Sequence, residues 1–152
     1  MASNKILAID IGTKMGWAFR DEDGAIKSGT EHFPKLIHEG TRYLNFRRWL
    51  TELKAAVGHI DCVYYEKVVS HLGHDAGHLY GGFHAILAAW CRHHDIEIKG
   101  IHVGTIKKHA AGTGRADKKQ MIAAMKKKGF KPKDDNEADA LALLFCAEGK
   151  NV

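Results

Sequence analysis

The stretch Lys5-Ile6-Leu7-Ala8-Ile9-Asp10-Ile11-Gly12-Thr13-Lys14-Met15-Gly16-Trp17-Ala18-Phe19-Arg20 is an apolar run closed by an acid, a short Gly-Thr break, and a second apolar run. Residues 5–10 read as a short buried strand, and residues 16–20 and 25–33 as two more around the turn Asp21-Glu22-Asp23-Gly24. This predicts an opening three-stranded meander. Working outward, Tyr43, Phe46, Leu50, Leu53 and Val57 recur at three- and four-residue intervals, which predicts an amphipathic helix over 39–57 stopped by Gly58. Residues 62–65 read as a buried strand ending beside Glu66, and a Gly- and His-rich stretch follows. Leu79, Phe83, Ile86, Leu87 and Trp90 then mark a second helix running to His93. Residues 96–103 alternate as a fifth strand, and Thr105 is placed to cap a short helical turn broken by Gly112 and Gly114. A helix over 117–128 carries Ile122 and Met125 on one face and ends at Gly129. Asp135 or Asn136 is expected to cap a last helix through Leu141, Leu144 and Phe145. Three strands, then helices alternating with two more strands, predict an α/β layered fold with a mixed five-stranded sheet flanked by helices.

The chain has 152 residues, 45% of them hydrophobic and 27% charged, with only two prolines. That composition predicts one folded domain spanning residues 1–152 and excludes a disordered or collagen-like chain. Cys62, Cys91 and Cys146 are widely separated and form no C-x-x-C pair, so neither a disulfide framework nor a thiolate metal site is expected. The N-terminal apolar run is too short for a signal peptide or a membrane span, which leads to the expectation of a cytoplasmic protein without a membrane partner. The net charge is +5, and the excess is concentrated: residues 105–133 hold nine lysines and Arg115 against the single acid Asp117. Such a segment suits a phosphate backbone. Lys107 and Lys118 flank Gly112-Thr113-Gly114, where a phosphate can approach the main chain, whereas Lys126, Lys127 and Lys128 read as a solvated helix face.

Asp10 and Glu66 each follow an apolar run directly, at the carboxyl ends of strands, where α/β sheets build their sites. Asp139 lies among Ala138, Ala140, Leu141 and Ala142 on a helix, with Asp135 and Asn136 four and three residues earlier on the same face. Each acid alone is explained as a cap or turn residue. Three together are better explained as oxygen ligands, because gathered carboxylates repel unless a hard cation such as Mg²⁺ or Mn²⁺ neutralises them. Two such ions serve phosphodiester hydrolysis.

With these residues in place, the chain resembles the RuvC family of Holliday junction resolvases, bacterial or bacteriophage enzymes with the RNase H-like fold. The likeness is carried in order by AIDIGTKMGWAF from Ala8, VYYEKV around Glu66, GGFHAILAA from Gly81, VGTIKKHAAGTGRADKKQM from Val103, and EADALALL from Glu137. The resemblance implies a homodimeric endonuclease that nicks opposed strands of a four-way DNA junction, leaving 5′-phosphate and 3′-hydroxyl ends. It implies Mg²⁺, with Mn²⁺ as a substitute and two ions per site, held by Asp10, Glu66 and Asp139. The fourth ligand of the family is an Asp or His where this chain has Asn136; the Asn136 carbonyl oxygen or Asp135 takes its place. Lys107 and Lys118 match basic residues beside the scissile phosphate, with Lys108, Arg115 and Lys119 as further DNA contacts. Val69 and Ser70 stand where the bacterial resolvases carry a stacking aromatic, and His71, His74 and His78 in that loop are offered as phosphate or base contacts instead. Phe46, Phe83, Trp90 and Trp17 are assigned to packing, and Gly81 and Gly82 permit close approach of either a second copy or another part of the same chain.

Three other readings compete. A branched-DNA endonuclease without strict junction specificity follows from the missing aromatic, and a catalytically inactive junction-binding protein from Asn136. Asp10-Ile11-Gly12-Thr13 also fits the phosphate loop of a sugar kinase or actin-like ATPase, but 152 residues leave little room for a second lobe.

Overall fold

The computed structural model describes residues 4–68 and 73–150. Strands β1 (Ile6–Asp10), β2 (Lys14–Arg20) and β3 (Ile26–His32) form the expected antiparallel meander, and α1 (Thr41–Val57) follows. Strand β4 (Cys62–Lys67) pairs parallel with β1, and β5 (Glu97–His102) pairs parallel with β4 after the crossover helix α2 (His74–His93). Helices α3 (Val103–Ala111), α4 (Lys118–Lys127) and α5 (Asp135–Lys150) complete the chain. The sheet order is β3-β2-β1-β4-β5, so the mixed five-stranded α/β architecture is as expected.

Side-chain alternation divides the core in two. Leu7, Ile9, Met15, Phe19 and Val63 point to one face, where Phe46 and Leu50 of α1 and Phe83, Leu87 and Trp90 of α2 cover them. Ile6, Ala8, Ala18, Cys62 and Tyr64 point to the other, beneath the small-residue face of α5 and the α3–α4 pair. The three cysteines are buried and free. Phe46, Phe83 and Trp90 are core residues as read, and the buried face of α2 is spent within the chain. No helix among the described residues is long and apolar enough to cross a membrane.

Two local expectations are corrected. Helix α2 begins at His74, so His74 and His78 lie in its first two turns; the apolar stripe that marked the helix starts only at Leu79, one turn later. Helix α3 begins at Val103, immediately after β5, with His102 at its N-cap and no side-chain cap, which puts Thr105 inside the helix. In α4 Ile122 and Met125 pack on one core as expected, joined there by Met121, and Asp117 and Gln120 form a capping box at the start of the helix. Residues 69–72 are outside the described residues, and with them the reading of Val69, Ser70 and His71.

Helix α5 lies close to the sheet because the facing residues are small: Ala8, Gly16 and Ala18 against Ala138 and Ala142. Gly16 is the tightest point. A Cβ there would stand 1.8 Å from the Asn136 carbonyl oxygen and 2.4 Å from its carbon, and both are main-chain atoms with no rotamer to yield. Gly16→Ala is therefore expected to lower stability by about 2–4 kcal/mol in urea denaturation. Gly81→Ala, with nothing within 4 Å of its Cβ on an exposed helical turn, is the control and should change stability by less than about 1 kcal/mol.

Candidate active site

Strand register builds the first half of the site. Ile9 pairs with Tyr65 across the parallel β1–β4 ladder, so the next residues, Asp10 and Glu66, leave adjacent strand ends side by side. Alternation places both on the face of Ala8 and Tyr64, the face that α5 covers. The end of β4 is pinned by Tyr80, whose hydroxyl donates to the Glu66 carbonyl oxygen at 2.7 Å.

The second half comes from the start of α5. Asp134, rather than Asp135 or Asn136, caps this helix: its Oδ1 accepts from the Glu137 N–H at 2.8 Å, and its carbonyl accepts from Ala138 N–H at 3.2 Å. Glu137 reaches back to the Lys133 N–H at 3.1 Å. Both acids are tied to β3, Asp134 by the Thr30 hydroxyl at 2.7 Å and Glu137 by the Ser28 hydroxyl at 2.9 Å. This anchored cap explains the correction, since Ser28 and Thr30 offer donors to Asp134 and Glu137 one step outside the expected cap position. It leaves Asp135 and Asn136 free to line an open cleft of about 460 Å³ together with Asp10, Gly12, Thr13 and Lys118. Asp139 follows Asp135 by one turn on the same helix face.

The four carboxylates act on one another. Burial raises the Asp10 carboxyl well above its ordinary range, and the charge of Glu66, a hydrogen bond to Glu66, and the charges of Asp139 and Asp135 raise it further. Asp139 is pushed up to about 7, first by burial and then by Glu66 and Asp135, with Lys107 and Lys118 opposing the rise. Lys118 stands with its Nζ 3.6 Å from Asp135 Oδ2, while its side chain remains 81% exposed. Thus carboxylates from β1, β4 and α5 act on one another, with Lys107 and Lys118 of the basic segment beside them.

The remaining predicted residues divide by distance from this cluster. Lys107, half-buried in α3, is close enough to lower Asp139. Lys108, Arg115 and Lys119 are exposed around the α3–α4 turn, which Gly112 makes possible by ending α3 at φ 83°. His74 is exposed at the start of α2, its ring 6.0 Å from that of His78. Tyr80 and Gly16 were not read from the sequence as site-shaping residues. Tyr80 sits on a helix fourteen residues past Glu66 and carries no local signal of its contact, and only the pairing of Gly16 with Asp10 in the β1–β2 ladder would have drawn attention to Gly16.

Among the described residues no three His, Cys, Asp or Glu side chains already stand in a metal-holding arrangement. The donor set nevertheless fits a hard divalent cation. Its atoms are carboxylate oxygens from three separate elements, and their mutual repulsion is opposed by Lys107 and Lys118.

The repulsion has a sign that can be tested. Asp10 and Asp139 hold protons more tightly in the folded chain than in the unfolded one, so cation-free stability falls as pH rises from about 4 through about 7. Asp10→Asn removes one of the charges. Without divalent cations it should raise the thermal midpoint by several degrees at pH 8, and by less at pH 5, in calorimetry. A lower midpoint at pH 8 would show that the carboxylates do not repel.

No protein-family model matches the sequence, and no curated protein matches it. Solved structures do match. Thermus thermophilus RuvC in complex with a Holliday junction substrate aligns at a TM-score of 0.80 and 18% identity, over 98% of this chain and 95% of that one. Another Thermus thermophilus RuvC structure aligns at 0.72 and 19% identity, over 93% and 92%. The yeast mitochondrial Holliday junction resolvase aligns at 0.67 and 11% identity, over 99% and 82%. The chain has the fold of the RuvC Holliday junction resolvases, with its acidic cluster at the carboxyl ends of that fold's central parallel strands.

Proposed function

We propose that the protein is a divalent-metal-dependent DNA endonuclease that resolves four-way junctions by paired nicks in opposed strands. The observation that carries this reading is the mutual electrostatic contact of Asp10, Glu66, Asp135 and Asp139 beside Lys118. Asp10, Glu66 and Asp139 would hold the cations, Mg²⁺ or Mn²⁺ and two per site, and Asp135 is favoured over Asn136 as the fourth ligand because its charge reaches both Asp10 and Asp139. Bound there, the cations supply a polarised water and neutralise the leaving oxygen of an in-line displacement, giving 5′-phosphate and 3′-hydroxyl products.

The chain's own residues do the rest. Asp10 and Glu66, joined by a side-chain hydrogen bond, would offer their oxygens to the cations, and the Asp134 cap holds the α5 ligands in register. Lys118 and Lys107 bring fixed positive charge to the acidic cluster, where charge develops on the phosphate. Lys108, Arg115 and Lys119 extend that charge outward and suit the backbone of an arriving DNA arm. Paired nicking calls for two sites, so the reading includes a homodimer, and a cytoplasmic setting in a bacterial or phage-infected cell suits it. Branched-DNA cleavage without strict junction specificity is the second reading, favoured by Val69 and Ser70 in place of an aromatic.

Incubation of labelled four-way, Y-forked and duplex DNA with the protein tests this. Nicks should appear in the four-way junction only when Mg²⁺ or Mn²⁺ is present, and Asp10→Asn should abolish nicking, keep DNA binding and lose Mn²⁺ binding in calorimetry. Lys118→Met should lower kcat by about 10²–10³ with little change in junction affinity. A cleavage-competent Asp10→Asn variant removes the assignment, and binding without nicking in either metal favours an inactive junction-binding protein.

A further inference from the structure

Away from the carboxylate cleft, the connection from β3 to α1 ends in an apolar tip. Ile37 is 98% exposed and its neighbour Leu36 is 44% exposed. Single exposed apolar residues are ordinary, but two in succession within a short connection keep an apolar patch in water.

The connection is braced. Phe33 at its base is buried, with its ring 5.5 Å from Phe46 and 6.2 Å from Phe83. Its N–H donates to the Thr13 carbonyl at 2.8 Å. Arg42, in the first turn of α1, donates to the Phe33 carbonyl from Nε at 3.1 Å and from Nη2 at 2.9 Å, and to the Thr13 hydroxyl at 3.2 Å. Thr13 belongs to the turn that lines the carboxylate cleft. The apolar tip is therefore fixed, through Phe33 and Arg42, to the segment that carries Asp10.

The surroundings say what the tip meets. Lys35 and His38 bracket Leu36 and Ile37 in sequence, and a cavity of about 540 Å³ beneath them is lined also by Arg42 and His78, with Glu39 and Asp75 as its acids. Helix α1 starts at the edge of this cavity with a glycine cap, no side-chain cap bond and no acid in its first turn, so its positive end adds to Lys35 and Arg42. Two side chains on a point cannot bury the roughly 800 Å² per partner that a stable protein interface needs. Narrow apolar residues flanked by cations are instead the form in which proteins enter between base pairs, unstacking a step while neighbouring charges take the phosphates.

We propose that Leu36 and Ile37 form a wedge that enters the DNA at the branch point, with Lys35 and the start of α1 toward the flanking phosphates. This rests on the nuclease reading and deepens it. A branch point is where stacking is already interrupted, so unstacking there costs least.

The test is a four-way junction with 2-aminopurine beside the branch point, titrated with full-length wild-type protein and with the double variant Leu36→Ser, Ile37→Ser. Wild-type binding should raise the fluorescence. The variant should lose that rise and bind the junction about tenfold more weakly, while its affinity for plain duplex and its sedimentation coefficient stay unchanged. Ile37→Met should keep the rise. Retention of both the rise and the affinity by the double variant overturns the wedge, as does a shift of its sedimentation to a smaller species, which would make the tip a contact between copies. If the wild-type protein itself fails to distinguish junction from duplex, the junction-resolving reading falls, and that result is visible before any variant is examined.

Discussion

The structure depends on a close approach bought with missing side chains: Gly16 lets the first turn of α5 lie against β2, and Ala8 and Ala18 continue the groove. With a larger residue at position 16, α5 would stand off the sheet and its acids would leave those of β1 and β4. The approach forces like charges together. Burial and mutual repulsion lift Asp10 and Asp139 out of the ordinary carboxylate range, and the fold bears that cost where β1, β4 and α5 converge. Stability elsewhere comes from the two apolar layers, above all the aromatic set of Phe33, Phe46 and Phe83 on the opposite face.

The site is electrically two-sided. Acids come from strand ends and the head of α5, while the cations come from the α3–α4 segment, and Lys118 is where the two meet, 3.6 Å from Asp135. Asp134, at the edge of the same cleft, and Glu137 are held instead by β3 hydroxyls and main-chain N–H groups. The four successive acidic or amide residues 134–137 thus separate by hydrogen bonding into an anchoring pair, Asp134 and Glu137, and a pair left to line the cleft, Asp135 and Asn136. That separation is what keeps Asp135 available despite the amide at Asn136.

Much of this was legible in the sequence because it rests on short-range patterns. Period-two alternation in β1 and β4 fixes which face Asp10 and Glu66 occupy, and an acid after an apolar run marks a strand end. The Asp135 and Asp139 spacing follows from helical periodicity. The cap of α5 was misread by one residue because its decisive partners, Thr30 and Ser28, lie more than a hundred positions away. The start of α2 was missed because its first turn has His74, Asp75, Ala76 and Gly77 and no apolar stripe. Tyr80 and the bracing of the β3–α1 connection by Arg42 are long-range hydrogen bonds to main-chain atoms, which no local pattern announces.

The central claim is that acids from residues 10, 66, 135 and 139 share divalent cations. Crystals soaked in Mn²⁺ and measured for anomalous scattering address it directly. The account predicts difference peaks within about 2.0–2.4 Å of carboxylate oxygens of Asp10, Glu66 and Asp139, lost in Asp10→Asn crystals. Fully soaked crystals with no peak at these carboxylates, or with manganese only on surface histidines, would contradict it.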